Sequence, residues 1–177
     1  MVTAIVIIAL ILAIAPALPT VAIDVFNAQD ITNRHPGPSF PWTVIITPKE
    51  REALNWIRDH TPEDAIVQVD PQARHSGTWT YIQAFAERGA AAGLPGAMIP
   101  FLPYRLATDN VTFGIFRAGT AHDAVENARF MGIDYVVVGP AERQRYPEAE
   151  KLFDASPDLF VPVFKNGAVS VYDVRKR

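Results

Sequence analysis

Side chains able to bind a sugar, a phosphate or a lipid headgroup gather around residues 70–81. Arginine forks onto phosphate oxygens, and aromatic rings offer flat apolar faces to sugars. Asp70 follows a predicted strand at 65–69, and ligands of α/β proteins gather at the carboxyl ends of parallel strands. A loop in which Trp and Tyr rest at the depth of lipid headgroups has the same composition. The candidate substrate-binding residues here are Asp70, Arg74, His75, Trp79, Tyr81, Arg88, Tyr104 and Arg105.

A second polar segment, residues 139–147, follows the predicted strand at 133–139. Because the carboxyl ends of parallel strands lie at one edge of a sheet, this segment could reach the same edge as Asp70. It adds Arg143 to the candidate surface. The alternative for this segment is a surface salt pair at a helix start, which contributes little to stability.

The sequence supports no metal site, covalent nucleophile or cofactor loop. It contains no cysteine, which excludes disulfides, thiolate zinc sites and a cysteine nucleophile. The histidines at positions 35, 60, 75 and 122 show no zinc-binding spacing. The segment GAAAGLPG at 89–96 follows a predicted helix instead of a strand, so it is typical of turns and not of a phosphate loop. We therefore expect neither a metal nor a cofactor.

Charge is divided unevenly along the 177 residues. The formal net charge of −3 gives no support to nucleic-acid binding, which needs a concentrated basic face. No charged residue precedes Asp24, so residues 2–23 form an apolar run long enough to cross a bilayer. We predict a transmembrane helix at 1–23, a linker at 24–46 and an α/β domain at 47–177.

Three interpretations of the apolar run stay open: the last helix of a longer polytopic protein, a lone anchor, or a cleaved secretory signal. Pro16 and Pro19 are expected to end the helix near the membrane interface. A signal carries a basic segment before its apolar core, and no Lys or Arg precedes this one. The pattern favours the last helix of a longer protein.

Capping residues and periodicity predict several helices separated by short strands. Thr47 and Glu50 form a capping box for a helix that ends near His60. In the helix expected at 79–88, Phe85 faces inward and Gly89 provides the C-cap. The remaining helices are expected at 110–117, 121–131 and 148–154, and Thr120 is expected to cap the second of these. The strands are expected at 65–69, 90–93 and 133–139. Residues 94–109 hold three prolines and are expected to be irregular.

A C-terminal hairpin is expected from strands at 159–165 and 168–175, joined by Asn166-Gly167 in a type I′ turn. The fold class is therefore α/β. We expect a small three-layer-like domain with a short parallel sheet and a C-terminal antiparallel hairpin, preceded by one transmembrane helix.

The apolar run and four later segments form one recognisable pattern. The segments are TPKEREALNWIRDHTPEDAIV at 47–67, IQAFAERG at 82–89, GIDYVVVGPAERQRYP at 132–147 and LFVPVFKNGAVSVYDV at 159–174. Together they resemble the last transmembrane helix and C-terminal extracytoplasmic domain of polytopic bacterial glycosyltransferases of the GT-C type. That class includes proteins similar to dolichyl-phosphate-mannose mannosyltransferases and related multispanning membrane proteins.

The resemblance implies a location and a role. Such enzymes transfer a sugar from a polyprenyl-phosphate donor at the outer face of the bacterial cell membrane. Their catalytic acidic residue lies between early transmembrane helices, so it matches no position here. The implied role is to assist binding of the lipid-linked sugar or the acceptor, with membrane lipid and upstream transmembrane helices as partners. A non-enzymatic anchored binding or assembly module and a secreted small α/β enzyme are the alternatives.

Overall fold

The computed structural model describes residues 19, 21–23, 46–73, 81–93 and 102–175. The chain divides into two compact units, residues 1–45 and residues 46–177. Of the first unit only Pro19 and residues 21–23 are described, and these are helical. Most of the predicted span at 1–23 therefore lies outside the described residues. Among the residues that are described, no helix combines the length and the apolar character that crossing a membrane requires.

The second unit is a mixed α/β fold, as the sequence predicts. Its helices are α1 (Pro48–His60), α2 (Tyr81–Ala86), α3 (Leu102–Val111), a π-helix (Thr112–Phe116), α4 (Ala121–Phe130), α5 (Pro140–Arg145) and α6 (Ala149–Asp154). Its strands are β1 (Val67–Gln68), β2 (Tyr135–Val138), β3 (Val161–Lys165) and β4 (Ser170–Asp173).

The four strands form one sheet in the order β1-β2-β4-β3. β1 and β2 are parallel, and Val67 pairs with Tyr135. β4 runs antiparallel to both β2 and β3, which confirms a parallel pair extended by a C-terminal hairpin. β2 is buried along its whole length, as its run of β-branched residues predicts. β1 is shorter than the predicted strand at 65–69, because Ile66 forms only an isolated bridge, with Gly89.

Two helix starts follow directly from the sequence. Thr47 accepts a hydrogen bond from the backbone N–H of Glu50, whose carboxylate accepts one from the N–H of Thr47, which confirms the capping box. Thr120 caps α4 through the N–H of Asp123. Each such cap satisfies backbone donors that a helix start leaves unpaired.

The end of α2 differs from the prediction. The helix stops at Ala86, and Glu87, with φ of 55°, takes the left-handed conformation expected of Gly89. Phe85 is 44% exposed instead of facing inward, whereas Ile82 and Ala86 are buried. The left-handed residue therefore lies at position 87 instead of 89, and Gly89 forms a parallel bridge with Ile66.

Of the segment 94–109 that was expected to be irregular, residues 94–101 lie outside the described residues, and over 102–109 the prediction is wrong. α3 begins at Leu102, and Pro103 falls in its first turn, where a missing N–H costs no helical hydrogen bond. The segment expected as a separate helix at 110–117 continues from α3 and widens into the π-helix. There the N–H of Arg117 donates to the carbonyl of Thr112, 3.0 Å away.

The hairpin turn is not type I′. Only Gly167 has a positive φ, of 82°, whereas a type I′ turn needs two such residues. The side-chain oxygen of Asn166 instead accepts hydrogen bonds from the N–H groups of Ala168 and Val169. Asn166 therefore organises a longer loop by bonding to its own backbone.

Candidate functional site

Asp70 lies directly beyond β1 and is fully buried. Its Oδ1 accepts a hydrogen bond from the Thr112 hydroxyl at 2.6 Å, and its Oδ2 accepts one from the N–H of Gln72 at 3.1 Å. Burial raises the pKa of Asp70, because desolvation disfavours the charged carboxylate. The hydroxyl and backbone donors act against that rise without cancelling it.

Tyr146 connects Asp70 to the end of the second parallel strand. Its hydroxyl donates to Oδ2 of Asp70 at 3.1 Å and accepts a hydrogen bond from Nε of Arg145 at 2.9 Å. Tyr146 follows α5, which begins at Pro140 immediately after β2. Residues 139–147 thus reach the same sheet edge as Asp70, although Tyr146 and not Arg143 makes the contact. Burial raises the pKa of Tyr146, so the phenol keeps its proton for this bond at neutral pH.

An open groove of about 530 Å³ lies beside this connection. The rings of Phe116 and Tyr146 line it, with their centroids 5.8 Å apart. The other residues that line the groove are Arg117, Ala118, Gly119, Pro147, Glu148, Ala149, Lys151 and Leu152. Aromatic and aliphatic side chains therefore share the groove with two cations and one carboxylate.

The two cations of the groove, Lys151 and Arg117, make different contacts. Lys151 forms an ion pair with Glu148 at 2.8 Å, and both side chains are more than 70% exposed, so water weakens this pair. The guanidinium of Arg117 lies 5.0 Å from the ring centroid of Phe113, a cation–π contact that leaves its donors available. Within the described ranges, no carboxylate pairs with Arg117. The groove can therefore present positive charge to an anionic group such as a phosphate.

Tyr81 and Arg88 are buried in the domain. Nε of Arg88 donates to the Thr61 hydroxyl at 2.9 Å, and its Nη2 donates to the carbonyls of Thr61 and Arg58. The Tyr81 hydroxyl approaches Oε1 of Glu50 at 3.5 Å. Arg88 thereby ties the segment after α2 to the end of α1, and its donors point to the chain's own carbonyl oxygens.

Arg143 forms a two-pronged ion pair with Glu150. Its Nε and Nη2 lie 2.6 and 2.7 Å from the two carboxylate oxygens, and its Nη1 donates to the carbonyl of Gly167. The Arg143 guanidinium holds the pKa of Glu150 below its usual value of 4.5. The pair joins α5 to α6 and to the hairpin loop, so the Arg143 guanidinium is bonded within the chain.

The remaining candidates do not come together in the described part of the chain. Tyr104 and Arg105 are exposed on α3. Arg74, His75 and Trp79 lie outside the described residues. Among the candidates that the structure describes, Asp70 alone is connected to the groove, through its hydrogen bond with Tyr146. Where the structure describes the chain, no three His, Asp or Glu side chains gather in a way that could hold a metal ion.

The groove residues Phe116, Arg117, Tyr146 and Lys151 are absent from the sequence-based candidates. The segment 139–147 contained a usable signal, because Tyr146-Pro147 follows a buried strand by one short helix. Phe116 and Arg117 gave no such signal. Their positions depend on the π-helix, which nothing in the sequence distinguishes from an ordinary helix.

Comparisons with known proteins show similarity to solved structures. No protein-family model matches the sequence, and no curated protein matches it. The solved structures that are similar include the C-terminal globular domain of an oligosaccharyltransferase from Archaeoglobus fulgidus. The two share 14% sequence identity with a TM-score of 0.48, over 75% of this chain and 100% of that domain. At these values the similarity carries no argument about function, which has to be inferred from the chain's own residues.

Proposed function

We propose that the chain is the extracytoplasmic domain of a membrane glycosyltransferase of the GT-C type, tethered to a bacterial membrane through residues 1–23. Its role is to hold the phosphate or sugar portion of a lipid-linked sugar, or the acceptor, beside a catalytic centre on other helices. This assignment extends the motif resemblance at 47–67, 82–89, 132–147 and 159–174.

One observation carries the binding role. Tyr146, fixed by Asp70 at the carboxyl edge of the parallel strands, also lines the open groove that contains Arg117 and Lys151. Ligands of α/β sheets gather at this edge. Aromatic faces beside two cations match a sugar joined to a phosphate.

Binding can be tested with the full chain in lipid nanodiscs, using polyprenyl phosphate with and without an attached hexose as the probe. Arg117→Gln and Lys151→Gln are each expected to weaken binding about tenfold, since a charged hydrogen bond contributes about 1.5–3 kcal/mol. Arg51→Gln, at an exposed position on α1, is the matched control and leaves the affinity unchanged. Equal affinity in all variants would show that the groove does not bind polyprenyl phosphate.

Two simple observations separate the alternatives. An upstream reading frame in phase with Met1 that encodes several apolar helices supports a longer glycosyltransferase, whereas a stop codon just before Met1 supports an anchored module. The intact mass of the expressed protein tests secretion. Loss of roughly 15–17 residues would show signal cleavage and contradict a retained helix.

A further inference from the structure

Phe113 is an aromatic residue of the π-helix whose side chain stays at the surface. It is 54% exposed, whereas Thr112, Ile115 and Phe116 of the same helix are buried. The ring therefore adds little to the core, and it does not belong to the lining of the groove. At the surface it contacts a cation, because Cζ of Arg117 lies 5.0 Å from the centroid of the ring.

The backbone brings these two side chains together. Arg117 directly follows the π-helix and comes four positions after Phe113, a spacing at which side chains on a helix surface are neighbours. The N–H of Arg117 donates to the carbonyl of Thr112, so the backbone that carries the guanidinium is itself held. The contact between ring and guanidinium therefore starts from a fixed backbone.

No carboxylate competes with the ring for Arg117 in the part of the chain that the structure describes. Asp109 and Asp123 are the acidic residues before and after it in the sequence, and neither forms an ion pair with it. An aromatic ring contacts the face of a guanidinium, whereas the five N–H donors point outward in its plane. The ring can therefore hold Arg117 while these donors serve the groove that Arg117 lines.

We propose that Phe113 is a positioning residue, whose ring holds the Arg117 guanidinium beside the groove with its N–H groups free for the oxygens of a bound phosphate. A long side chain that is already restrained loses less conformational freedom when it binds a ligand. Phe113 thus strengthens binding without touching the phosphate. The inference rests on the proposed function, because it concerns the same groove and the same lipid-linked phosphate.

Substitution of the ring tests this role, with the full chain in lipid nanodiscs and polyprenyl phosphate as the probe. Phe113→Leu keeps an apolar side chain but removes the ring. It should weaken binding about two- to fivefold, the change that an exposed cation–π contact of about 0.5–1 kcal/mol produces. Phe113→Tyr retains the ring and should bind like the parent protein. Equal weakening in both variants would show that the ring is not the feature that supports binding.

The matched control is the same substitution at another exposed phenylalanine. Phe130 on α4 is 84% exposed and does not line the groove, so Phe130→Leu should leave the affinity unchanged. Urea unfolding of Phe113→Leu should match that of the parent protein, because the ring is largely outside the core.

A double-mutant cycle separates positioning from a general effect on the fold. Once Arg117→Gln has removed the guanidinium, adding Phe113→Leu should cause no further loss of affinity. Additive losses would show that the ring acts independently of Arg117 and would overturn the proposal. Unchanged affinity in Arg117→Gln alone would refute both the positioning role and the phosphate-binding groove. A weakened Arg117→Gln beside a parent-like Phe113→Leu would refute the positioning role only.

A measurement without ligand checks the contact itself. Nuclei above an aromatic ring resonate upfield, so the guanidinium signal of Arg117, identified by its loss in Arg117→Gln, should move downfield in Phe113→Leu. The signal should stay in place in Phe130→Leu. An unmoved signal in Phe113→Leu would show that the ring does not hold the guanidinium, whatever the outcome of the binding experiments.

Discussion

The hydroxyl of Tyr146 lies 3.1 Å from Oδ2 of Asp70, although the two residues are 76 positions apart in the chain. The contact fixes the loop after α5 to the loop after β1, so the ends of the two parallel strands become one surface. Thr112 completes the junction by donating to the other oxygen of Asp70. The same carboxylate thereby holds the start of the π-helix that carries Phe116 and Arg117 into the groove.

Removing the Tyr146 hydroxyl tests this junction. Tyr146→Phe should lower the free energy of unfolding by about 1–2 kcal/mol, because a buried carboxylate loses a donor. Urea unfolding of the single variants and of Tyr146→Phe with Asp70→Ala measures the coupling, expected at about 0.5–3 kcal/mol. Strictly additive losses would show that the two side chains do not interact.

The pH dependence of stability should carry a signature of Asp70. Its folded-state pKa is raised by burial above the unfolded value, so between those two pKa values the folded state binds more protons. The contribution of Asp70 to stability is therefore full below the unfolded pKa and declines as pH rises through the folded pKa. Asp70→Asn keeps the shape and most hydrogen bonds, and should remove this decline. Parallel stability curves for the variant and the parent protein would argue against a raised pKa.

Glu150 should give the opposite pH dependence of stability to that of Asp70. Its pKa is lowered chiefly by the hydrogen bonds from Arg143, so its contribution to stability is present above the unfolded value and is lost as pH falls through the folded pKa. Glu150→Gln should reduce the loss of stability below pH 4.5, measured by thermal unfolding across an acid series. The pair is partly exposed, and added salt should shrink the difference.

Arg88 is expected to matter for stability more than for binding. Arg88→Ala should lower the free energy of unfolding by about 2–4 kcal/mol, because it leaves the buried carbonyl of Thr61 and the partly buried carbonyl of Arg58 without their donor. Arg51→Ala, at an exposed site, should change it by less than about 0.5 kcal/mol. If the Arg88→Ala protein had normal stability but failed to bind polyprenyl phosphate, Arg88 would belong to the binding surface.

Gly167 and Gly119 form a matched pair for testing backbone strain. A Cβ at either position meets no atom within 4 Å, but only Gly167 has a positive φ, of 82°. Gly167→Ala should therefore destabilise the protein by about 1 kcal/mol, whereas Gly119→Ala should be neutral or slightly stabilising. Equal effects in chemical denaturation would show that the hairpin loop relaxes without strain.

The features that the sequence predicts well are local. The Thr47–Glu50 capping box, the Thr120 cap and the buried run of β2 each depend on a few neighbouring residues, and the structure confirms them. Errors arise where tertiary contacts override local preference. Pro103 is read as a breaker although it lies in the first turn of α3, and Gly89 as a helix end although it pairs with Ile66.

The residues of the candidate site likewise include some that the sequence predicts well and some that it does not. Its position at the end of a parallel strand singled out Asp70, which is connected to the groove through its hydrogen bond with Tyr146. Charge and aromatic type singled out Arg88 and Arg143, but these properties do not distinguish a free guanidinium from one bonded within the chain. The sequence places residues 139–147 at the same sheet edge as Asp70, but it does not single out Tyr146 as the side chain that makes the contact.

Photo-crosslinking tests directly whether the groove beside Tyr146 binds a lipid-linked phosphate. A photoreactive polyprenyl phosphate is incorporated into nanodiscs with the full chain, irradiated, and the modified peptides are identified by mass spectrometry. Adducts are expected within residues 116–119 and 146–152, and they should be suppressed by excess unlabelled polyprenyl phosphate and reduced by Lys151→Gln. Adducts spread over α1 and the hairpin, or none that competitor suppresses, would contradict a binding groove beside Tyr146.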